Sequence, residues 1–412
     1  MKFAADFHLH SKYSRATSKD SDVEHLTLWA QKKGVGLLGT GDFTHPLWLK
    51  ELKQKLEPTD KGLFVHKGTH FILTSEISNI YSKRGKTYRI HTVYLAPSFK
   101  TVDMINAELR KRGANLDSDG RPIIGMDVKD MSKLILDVDE NCFIIPAHIW
   151  TPWFSMFGSK SGFDTVEECF EELSEKITCV ETGLSSDPAM NWRLSALDRM
   201  TLVSSSDAHS PSKIARECNV FDCELSYCDI VDTLKKKDAK RLLYTIEFYP
   251  EEGKYHNDGH RLCDVSFTPE ESRKHNDLCP KCGKSLILGV SHRVDQLADR
   301  PVGYMPKNFI PFKNRIALEE IIADVKGVGV GSKAVQAEYE AIIHAFGNEL
   351  AVLSDVSEAD LLKSIAPRTA AAIINVREGK VSIAPGYDGE YGKIHVLEKE
   401  KKVSQEEQFS LF

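Results

Sequence analysis

The sequence predicts an α/β barrel in the N-terminal part of the chain, because polar side chains follow short apolar runs that alternate with helical stretches. The runs that read as strands lead into His8, Asp42, Glu76, His148 and Asp207. Parallel strands of a barrel share one end, where the active sites of such folds lie. We therefore expect these side chains to converge at that end.

The first run, Lys2 to His10, ends in two histidines that are two residues apart. Alternate side chains of a strand point to the same face, so His8 and His10 would present two imidazoles side by side. Imidazoles combined with carboxylates suit zinc, manganese or iron. Any one of these residues alone is equally a core histidine or a helix cap, whereas the whole series predicts a metal centre. Its candidate ligands are His8, His10, Asp42, His45, Glu76, His91, His148, Asp207 and His209.

A second group of metal ligands lies near residue 260. His260 and Cys263 form one pair with a two-residue gap, and Cys279 and Cys282 form another after 15 residues. This spacing is typical of a closed tetrahedral site for one structural zinc ion, which stabilises folding. His256 and His275 compete with His260 for the place of the fourth ligand.

Composition and length favour a globular protein of several domains. The chain has 412 residues, a net charge of −6 and nine cysteines, of which the closely spaced ones look metal-bound. We expect about two to three domains, no membrane span, no signal peptide and a reducing, cytoplasmic, nucleoid-associated setting for a monomer. Because the chain is mildly acidic, any DNA-binding surface must be local. The predicted divisions are a catalytic barrel (1–240), a zinc-binding module (241–300), a helical DNA-contacting domain (301–396) and a flexible tail (397–412).

The C-terminal part carries two further signals. A glycine-rich loop, residues 326–333, opens a helix and loosely resembles the helix-hairpin-helix motif that grips DNA, with an ordinary helix–helix turn as the alternative. The chain ends in Gln408-Phe409-Ser410-Leu411-Phe412 after a charged stretch. This pentapeptide resembles the peptide that binds bacterial sliding clamps, with Gln408, Phe409, Leu411 and Phe412 as anchors. A tail that packs on its own domain is the alternative.

Four motifs resemble those of the polymerase and histidinol phosphatase (PHP) superfamily: the histidine pair, Glu76, Pro-Ala-His at 146–148 and Ser-Asp-Ala-His at 206–209. The resemblance implies a metal-dependent phosphoesterase on a distorted (β/α)7 barrel, with two or three divalent ions (zinc, or magnesium or manganese). It implies one ion on His8, His10, Glu76 and Asp207, and a second on Glu76, His91 and His148. A third would lie on His209 with Asp42 or His45. Bridging Glu76, with Asp207 and His209 to orient the attacking water, would be the catalytic residues.

The whole arrangement is similar to the endonuclease Q family, through segments 115–125, 255–260, 297–301 and 386–389 in addition to the barrel motifs. This resemblance implies a DNA repair endonuclease that cuts on the 5′ side of deoxyuridine, deoxyinosine, deoxyxanthosine and abasic sites. A PHP-type phosphatase that acts on a small phosphomonoester is the alternative.

Two segments are candidates for DNA contact. A damaged base must leave the base stack before an enzyme can read it, and aromatic rings hold such a base. Trp150 and Trp153, directly after His148, are the predicted wall for it, with a packed rim as the alternative. Arg84, Lys86 and Arg89 form the predicted phosphate-contact patch, with a solvated basic hairpin as the alternative.

Overall fold

A computed structural model of the chain describes residues 1–397. The predicted clamp-binding peptide, Gln408 to Phe412, lies outside these residues. Within the described part, no helix is both long and apolar enough to cross a bilayer.

The N-terminal part is a closed ring of strands surrounded by helices. Its elements from the start of the chain to the middle of the ring are β1 (Lys2–Asp6), α1 (Val23–Lys33), β2 (Leu37–Gly39), α2 (Pro46–Lys55), β3 (Glu57–Pro58), β4 (Phe64–His66), β5 (Thr69–Lys83), β6 (Lys86–Ala96), α3 (Phe99–Lys111), β7 (Ile123–Ile124), α4 (Val128–Val138) and β8 (Phe143–Pro146). The elements that complete it are α5 (Val166–Phe170), β9 (Cys179–Glu181), α6 (Pro188–Asn191), β10 (Thr201–Val203), β11 (Cys218–Asp222), α7 (Tyr227–Lys235) and β12 (Leu242–Glu247).

Seven strands form the ring, in the order β1, β2, β5, β6, β8, β9 and β10. Strand β6 runs antiparallel to both of its neighbours, which distorts the otherwise parallel barrel. The amide of Ile149 donates to the carbonyl of Glu181 at 3.1 Å and joins β8 to β9. The ring closes where the amide of His10 donates to the carbonyl of Ala208 at 2.9 Å. Strands β11 and β12 extend the sheet on the other side of β1.

Alternation along the strands places two apolar cores on the two faces of the sheet. Ala5 of β1 and Phe7, which follows β1, join one buried cluster with residues of the other strands and of α7, whereas Ala4 joins the cluster under the outer helices. The helix ends are marked by the sequence. Asp22 accepts the amide of His25 at the start of α1, and Gly34 ends the helix at φ 85°.

The next segment contains a hairpin of β13 (Asp258–His260) and β14 (Val265–Phe267), followed by α8 (Pro269–Lys274), α9 (Val290–Leu297) and β15 (Phe312–Asn314). Arg293 of α9 fastens this segment to the barrel through hydrogen bonds to the carbonyls of Phe157 and Phe163 and an ion pair with Asp164. The barrel sheet extends beyond residue 240, the predicted end of the barrel, because β12 pairs with β11 and β15 pairs with β12.

The C-terminal part is mainly helical, with its own apolar core. It consists of α10 (Leu318–Lys326), α11 (Lys333–Phe346), α12 (Glu349–Ser354), α13 (Glu358–Ser364), α14 (Pro367–Arg377) and the hairpin β16 (Ser382–Ala384) with β17 (Lys393–His395). The glycine-rich loop precedes α11, as the sequence predicts, with Ser332 as the N-cap. A barrel, a Cys/His-bearing segment and a helical domain follow one another, so the predicted fold class is confirmed.

A buried ion pair fastens the helical domain to the barrel. Lys33 at the end of α1 lies 2.6 Å from Glu349 at the start of α12, and their side chains are 3% and 5% exposed. Glu349 also accepts the Tyr339 hydroxyl and the amide of Leu318. Its carboxylate is therefore fully enclosed by the contact between the two parts.

Replacing Lys33 by methionine should leave the buried Glu349 carboxylate without its counter-ion. We expect Lys33→Met to lower the free energy of unfolding by about 3–5 kcal/mol, measured by urea denaturation. The neighbouring pair of Lys32 with Glu340 is far more exposed, at 23% and 55%, so Lys32→Met is the matched control. Lys32→Met should lower the free energy of unfolding by less than about 1 kcal/mol. Equal losses in the two variants would contradict this assignment.

Glu247 is a buried carboxyl at the end of β12. Burial raises its pKa from 4.5 to about 8, although hydrogen bonds from Thr245 and Thr182 lower it, and the nearby carboxyl of Asp187 adds to the rise. Burial and Glu247 in turn raise the pKa of Glu217. Between pH 4.5 and about 8 the unfolded chain releases a proton from Glu247 that the folded protein keeps. The free energy of unfolding therefore falls as pH rises through this window and levels off above it.

Replacing Glu247 by glutamine should remove this pH dependence. The stability of Glu247→Gln, relative to the native chain, should increase by up to about 1.4 kcal/mol for each pH unit within the window. Thermal denaturation at about pH 5 and about pH 9 measures the difference. Glu140→Gln, at an exposed position, is the control and should show none. A Glu247→Gln effect that is the same at both pH values would refute the assignment.

Candidate metal and nucleic-acid site

The predicted metal ligands converge at one end of the ring. His8 and His10 follow β1, His148 follows β8 and Asp207 follows β10. The position of Glu76 after an apolar run predicts that it ends a strand, but the structure differs. Glu76 lies in the middle of β5, because the β5–β6 hairpin continues beyond the rim of the barrel to Lys83. His91 approaches from β6, where it pairs with Ser78.

Glu76 is the centre of the cluster. Its Oε2 lies 3.3 Å from His10 Nε2 and 3.5 Å from His8 Nε2. Its Oε1 lies 2.7 Å from His91 Nδ1 and 3.1 Å from His148 Nε2. One carboxylate thus faces two pairs of imidazoles, one pair from each side.

Two three-residue groups share Glu76, and their ligand atoms lie within 4.8 Å of one another: His8, His10 and Glu76 form one group, and Glu76, His91 and His148 form the other. A third group consists of His10, Asp207 and His209. Asp207 Oδ1 is 3.1 Å from His10 Nε2 and 3.7 Å from His8 Nε2, so Asp207 adjoins the first group as well.

The unpaired donor atoms fit divalent metal ions. His8 Nε2, His10 Nε2, His91 Nδ1 and Asp207 Oδ1 are buried and have no aligned hydrogen-bond partner within residues 1–397. Buried polar atoms rarely lack partners, and these four face one another across short distances. Nitrogen and carboxylate oxygen are the donors that zinc, manganese and iron take. The residues therefore fit metal ions, whose identity their chemistry leaves open.

Two carboxylates lie behind the histidines: Glu181, which was not among the predicted ligands, and Asp42, which was predicted as a ligand of the third ion. Glu181 at the end of β9 lies 3.0 Å from His8 Nδ1 and accepts the amide of His148 at 2.8 Å. Asp42 lies 3.0 Å from His10 Nδ1. A carboxylate on the outer ring nitrogen fixes the tautomer of a metal-binding histidine. Each therefore turns the Nε2 of its histidine toward Glu76.

The group of possible ligands that contains His209 includes neither Asp42 nor His45, the predicted partners of His209 at the third ion. Asp42 also accepts the amide and hydroxyl of Ser11 and the hydroxyl of Ser14, so its oxygens are engaged behind His10. His45 precedes α2 and stacks on the ring of Tyr13 at 4.5 Å. The structure instead brings His209 to His10 and Asp207.

The protonation of the cluster follows from burial and neighbouring charges. Burial alone would raise the pKa of Glu76, but His91, Arg121 and His8 hold it well below its ordinary value. Burial lowers the pKa of His91 to about 4, against the attraction of Glu76. Glu76 is therefore a carboxylate and His91 a neutral imidazole at neutral pH. Although burial opposes it, the surrounding acids raise the pKa of His8, His10 and His148, so a metal ion has to displace protons from these three imidazoles.

The backbone is strained at three of these residues. Asp42, His148 and Asp207 have φ values of 48°, 30° and 45°, in the left-handed region that costs most residues about 1–3 kcal/mol. Such strain persists where the surrounding structure enforces it, and it is concentrated here at one cluster of polar side chains.

A cavity of about 430 Å³ opens beside the cluster. Its lining includes His91, His148 and Asp207, together with two arginines, several polar residues and the aromatic rings of Trp153 and Phe154. Trp153 is 41% exposed and meets Tyr255 edge to face, with ring centroids 5.9 Å apart. The volume is that of a small-molecule or nucleobase site.

The structure corrects one of the sequence predictions for DNA contact, that of Trp150, and leaves the basic patch as a prediction. Trp150 is fully buried, and its indole N–H donates to Asn191 at 2.8 Å, so it packs in the core and does not line the cavity. Arg84, Lys86 and Arg89 lie on the β5–β6 hairpin, outside the lining of the cavity. Lys86 Nζ donates to the carbonyl of Gly162 at 2.8 Å. Their contact with DNA stays a prediction.

Arg121 is a residue of this site that the sequence predictions omitted. Its Nη1 lies 3.1 Å from Glu76 Oε2, and its side chain lines the cavity. Burial alone would lower its pKa, but Glu76 and Asp207 raise it, so it is a cation. A motif search for metal ligands cannot find it, because it lies in a loop between α3 and β7 with no pattern of its own.

The second metal group lies in the module around β13 and β14. His260, Cys263, Cys279 and Cys282 bring their ligand atoms within 4.8 Å of one another. The two competing histidines are engaged elsewhere, since His256 Nε2 lies 3.0 Å from the Ser291 hydroxyl and His275 stacks on Phe267. Three sulfurs and one imidazole nitrogen are the donors of a structural zinc site.

Comparisons with known proteins agree with this architecture. Residues 317–380 match a family model described as the MJ0043 C-terminal domain. The crystal structure of the lesion-specific endonuclease PfuEndoQ from Pyrococcus furiosus superposes with a TM-score of 0.86 at 31% identity, over 97% of this chain and 98% of that one. A complex of endonuclease Q with a 27-mer duplex that carries an abasic lesion gives a TM-score of 0.85 at 31% identity, over 98% and 99%.

Two curated sequences are also similar. The protein YqxK of Bacillus subtilis is 29% identical over 95% of this chain and 99% of its own length. The protein MJ0043 of Methanocaldococcus jannaschii is 34% identical over 66% of this chain, a segment that makes up 34% of that protein. The similarity therefore covers the barrel, the Cys/His module and the helical domain together.

Replacing Cys282 should release the metal of the Cys/His group. We expect Cys282→Ala to lose about one equivalent of zinc and to unfold at lower temperature, because metal binding stabilises the folded module. Elemental analysis and thermal denaturation measure the two effects. Cys228→Ala, at another exposed cysteine outside the group, is the control and should keep its zinc. Full zinc content in Cys282→Ala would exclude this thiol as a ligand.

Proposed function

The chain belongs to the endonuclease Q family of DNA repair endonucleases, and on this basis we propose that it cuts DNA on the 5′ side of deaminated bases and abasic sites. The bases are those that carry a carbonyl in place of an amino group: uracil, hypoxanthine and xanthine. The observation that carries the proposal is the set of ligand groups that share Glu76 beside an open cavity. The similarity to an endonuclease Q that was crystallised with a lesion duplex supports the choice of substrate.

The cluster supports hydrolysis of a phosphodiester. When bound, divalent ions supply positive charge that stabilises the developing charge on phosphate, and they lower the pKa of a water molecule. His8 and His10 are locked by Glu181 and Asp42, so their Nε2 atoms stay turned toward Glu76 without reorganisation. Asp207 is a carboxylate whose Oδ1 has no aligned partner within the described residues, and it lines the cavity where the scissile phosphate would lie.

The cavity supports reading of an extruded base. Trp153 is exposed at its mouth and offers a flat face on which a base can stack. Leu184 and Ser185 line the cavity, and their amides donate no hydrogen bond within residues 1–397. A free amide pairs with the carbonyl oxygen of a deaminated base but opposes the amino group of the normal base. Deaminated and missing bases are also poorly paired, which makes extrusion less costly.

The C-terminal peptide supports a link to a sliding clamp. Its sequence, Gln408 to Phe412, combines a glutamine with apolar residues at the end of a charged stretch. We propose that it docks in an apolar pocket of the clamp and keeps the enzyme near newly replicated or repaired DNA. The barrel, which carries the chemistry, does not require it.

A nicking assay tests the proposed reaction. The purified protein with divalent metal should cut an end-labelled duplex at uracil, hypoxanthine or an abasic site, and should leave the undamaged duplex intact. Asp207→Ala should reduce the rate by at least about 10²-fold, because it removes a ligand carboxylate and its charge at the reacting phosphate. Thermal denaturation checks that the variant is folded. Full activity of Asp207→Ala would exclude this carboxylate from the site.

The same assay separates the two candidate reactions. A small-molecule phosphatase would hydrolyse p-nitrophenyl phosphate and would leave every duplex uncut. That result would replace the proposed function with the phosphomonoesterase alternative, since both reactions use the same metal cluster.

Deleting Gln408 to Phe412 tests the clamp partner. The shortened chain should nick a free oligonucleotide duplex at an unchanged rate, because the deleted residues lie beyond the barrel. Its binding to an immobilised bacterial sliding clamp should be lost in surface plasmon resonance. Binding that survives the deletion would rule out the peptide as the anchor.

A further inference from the structure

We propose that residues 119–121, which we call the arginine turn, form a phosphate-binding site in which Arg121 holds a phosphodiester of the DNA strand and Arg15 holds a second one. This inference rests on the proposed endonuclease function and assigns a substrate contact within it. The ligand class is a phosphodiester anion, and the contact is independent of the base.

Within the described residues, most of the N–H groups of the Arg121 side chain are free to bind an anion. Its side chain is 26% exposed and reaches the cavity beside Asp207. Its one side-chain hydrogen bond within the described residues runs from Nη1 to Glu76. A guanidinium carries five N–H groups in a planar fork, so the remaining ones can bind two oxygens of one phosphate.

A single carboxylate positions both arginines. Asp119 Oδ1 accepts the amide of Arg121 at 3.2 Å and the amide of Arg15 at 3.2 Å. Asp119 Oδ2 lies 3.3 Å from Arg15 Nε, and the Asp119 side chain is only 10% exposed. Arg15 and Arg121 come from distant parts of the sequence, and Asp119 ties both to the rim of the same cavity.

Gly120 brings this turn against the metal cluster. A Cβ atom at this position would lie 2.3 Å from Asp42 Oδ2 and 2.4 Å from Ser14 Oγ, so only glycine fits. The Gly120 amide donates to the carbonyl of Tyr13 at 3.0 Å, and its carbonyl accepts the Thr44 hydroxyl. These contacts fix the backbone of the arginine turn, and they therefore hold Arg121 beside Glu76.

Charge favours a phosphate as the occupant. Glu76 and Asp207 repel an approaching DNA strand, and Arg121 neutralises part of that repulsion from within the site. Arg15 is 74% exposed, at the outer side of the same cavity. The guanidinium groups of Arg121, inside the cavity, and Arg15, at its outer side, suit successive phosphates of one DNA strand. Phosphate charges repeat along the backbone regardless of the base sequence.

The experiment compares the native chain with Arg121→Gln, Arg121→Lys and the control Arg110→Gln. Arg110 lies at the end of α3, outside the cavity, and pairs with Asp117 of the loop that contains Arg121. Binding of a fluorescent duplex with an abasic site is measured without added divalent metal at several salt concentrations, on protein whose zinc content has been checked, and nicking is measured with metal on uracil and abasic duplexes.

We expect Arg121→Gln to weaken binding without added metal by about tenfold or more, and to reduce the slope of log affinity against log salt by about 1. Nicking should fall by the same factor on both lesions, because the contact is to phosphate. Arg121→Lys should keep the salt slope and lose part of the affinity, since it retains the charge without the fork. If Arg121→Gln does not fold, Arg121→Lys decides the question. Arg110→Gln should match the native chain.

Asp119 is a positioning residue in this scheme, so its effect should depend on Arg121. Asp119→Ala should cost less affinity when added to Arg121→Gln than when added to the native chain. An unchanged affinity and salt slope in Arg121→Gln, while the native chain still nicks lesion DNA, would overturn the phosphate site alone. A native chain that nicks no lesion duplex would instead overturn the proposed function.

Discussion

The arrangement of the site depends on one constraint: the buried carboxylate of Glu76 must face several positive or metal-binding groups at once. Its two oxygens lie between His8 and His10 on one side and His91 and His148 on the other, with Arg121 beside them. A buried carboxylate without such neighbours would take up a proton, and the cluster would lose its charge. The strained backbone at His148 and Asp207 is the cost of bringing these groups to one point.

Two buried acids behind the histidines keep the imidazole rings in fixed orientations. Glu181 and Asp42 each hold the outer nitrogen of one histidine, and Glu181 also fixes the amide of His148. These acids act on the site without lining the cavity. Polar side chains are therefore concentrated at this end of the barrel, while both faces of the sheet carry apolar cores.

Much of the fold and of the site was predictable from the sequence, for identifiable reasons. The histidine pair, Glu76, His148 and Asp207 follow or lie within apolar runs, and strand periodicity gives their direction. The Cys/His spacing predicted that the three cysteines meet and left His260 in competition with His256 and His275, and the structure brings His260 to the cysteines. The antiparallel β6 and the extension of the β5–β6 hairpin past the rim were not predictable, because both depend on tertiary pairing. Trp150 was misassigned because local sequence does not show which of two neighbouring tryptophans is buried.

The residues that sequence reasoning missed act through contacts between distant segments. Arg121 stands in an irregular loop, and its place beside Glu76 depends on Gly120 fitting against Ser14 and Asp42. Glu181 ends a strand of only three residues. Neither carries a periodic or spaced pattern. Only the closed ring brings them to the histidines.

The closure of that ring has a consequence for biosynthesis. The amide of His10 donates to the carbonyl of Ala208, so the two ends of the ring can meet only after some two hundred further residues have left the ribosome. Contacts of such long range form late and slowly. Until then, the earliest imidazoles lack Asp207 and the carboxylate of Glu181, and the emerging chain holds only half of its ion-binding pocket. We therefore expect any metal site that includes Asp207 to be complete only after the ring has closed.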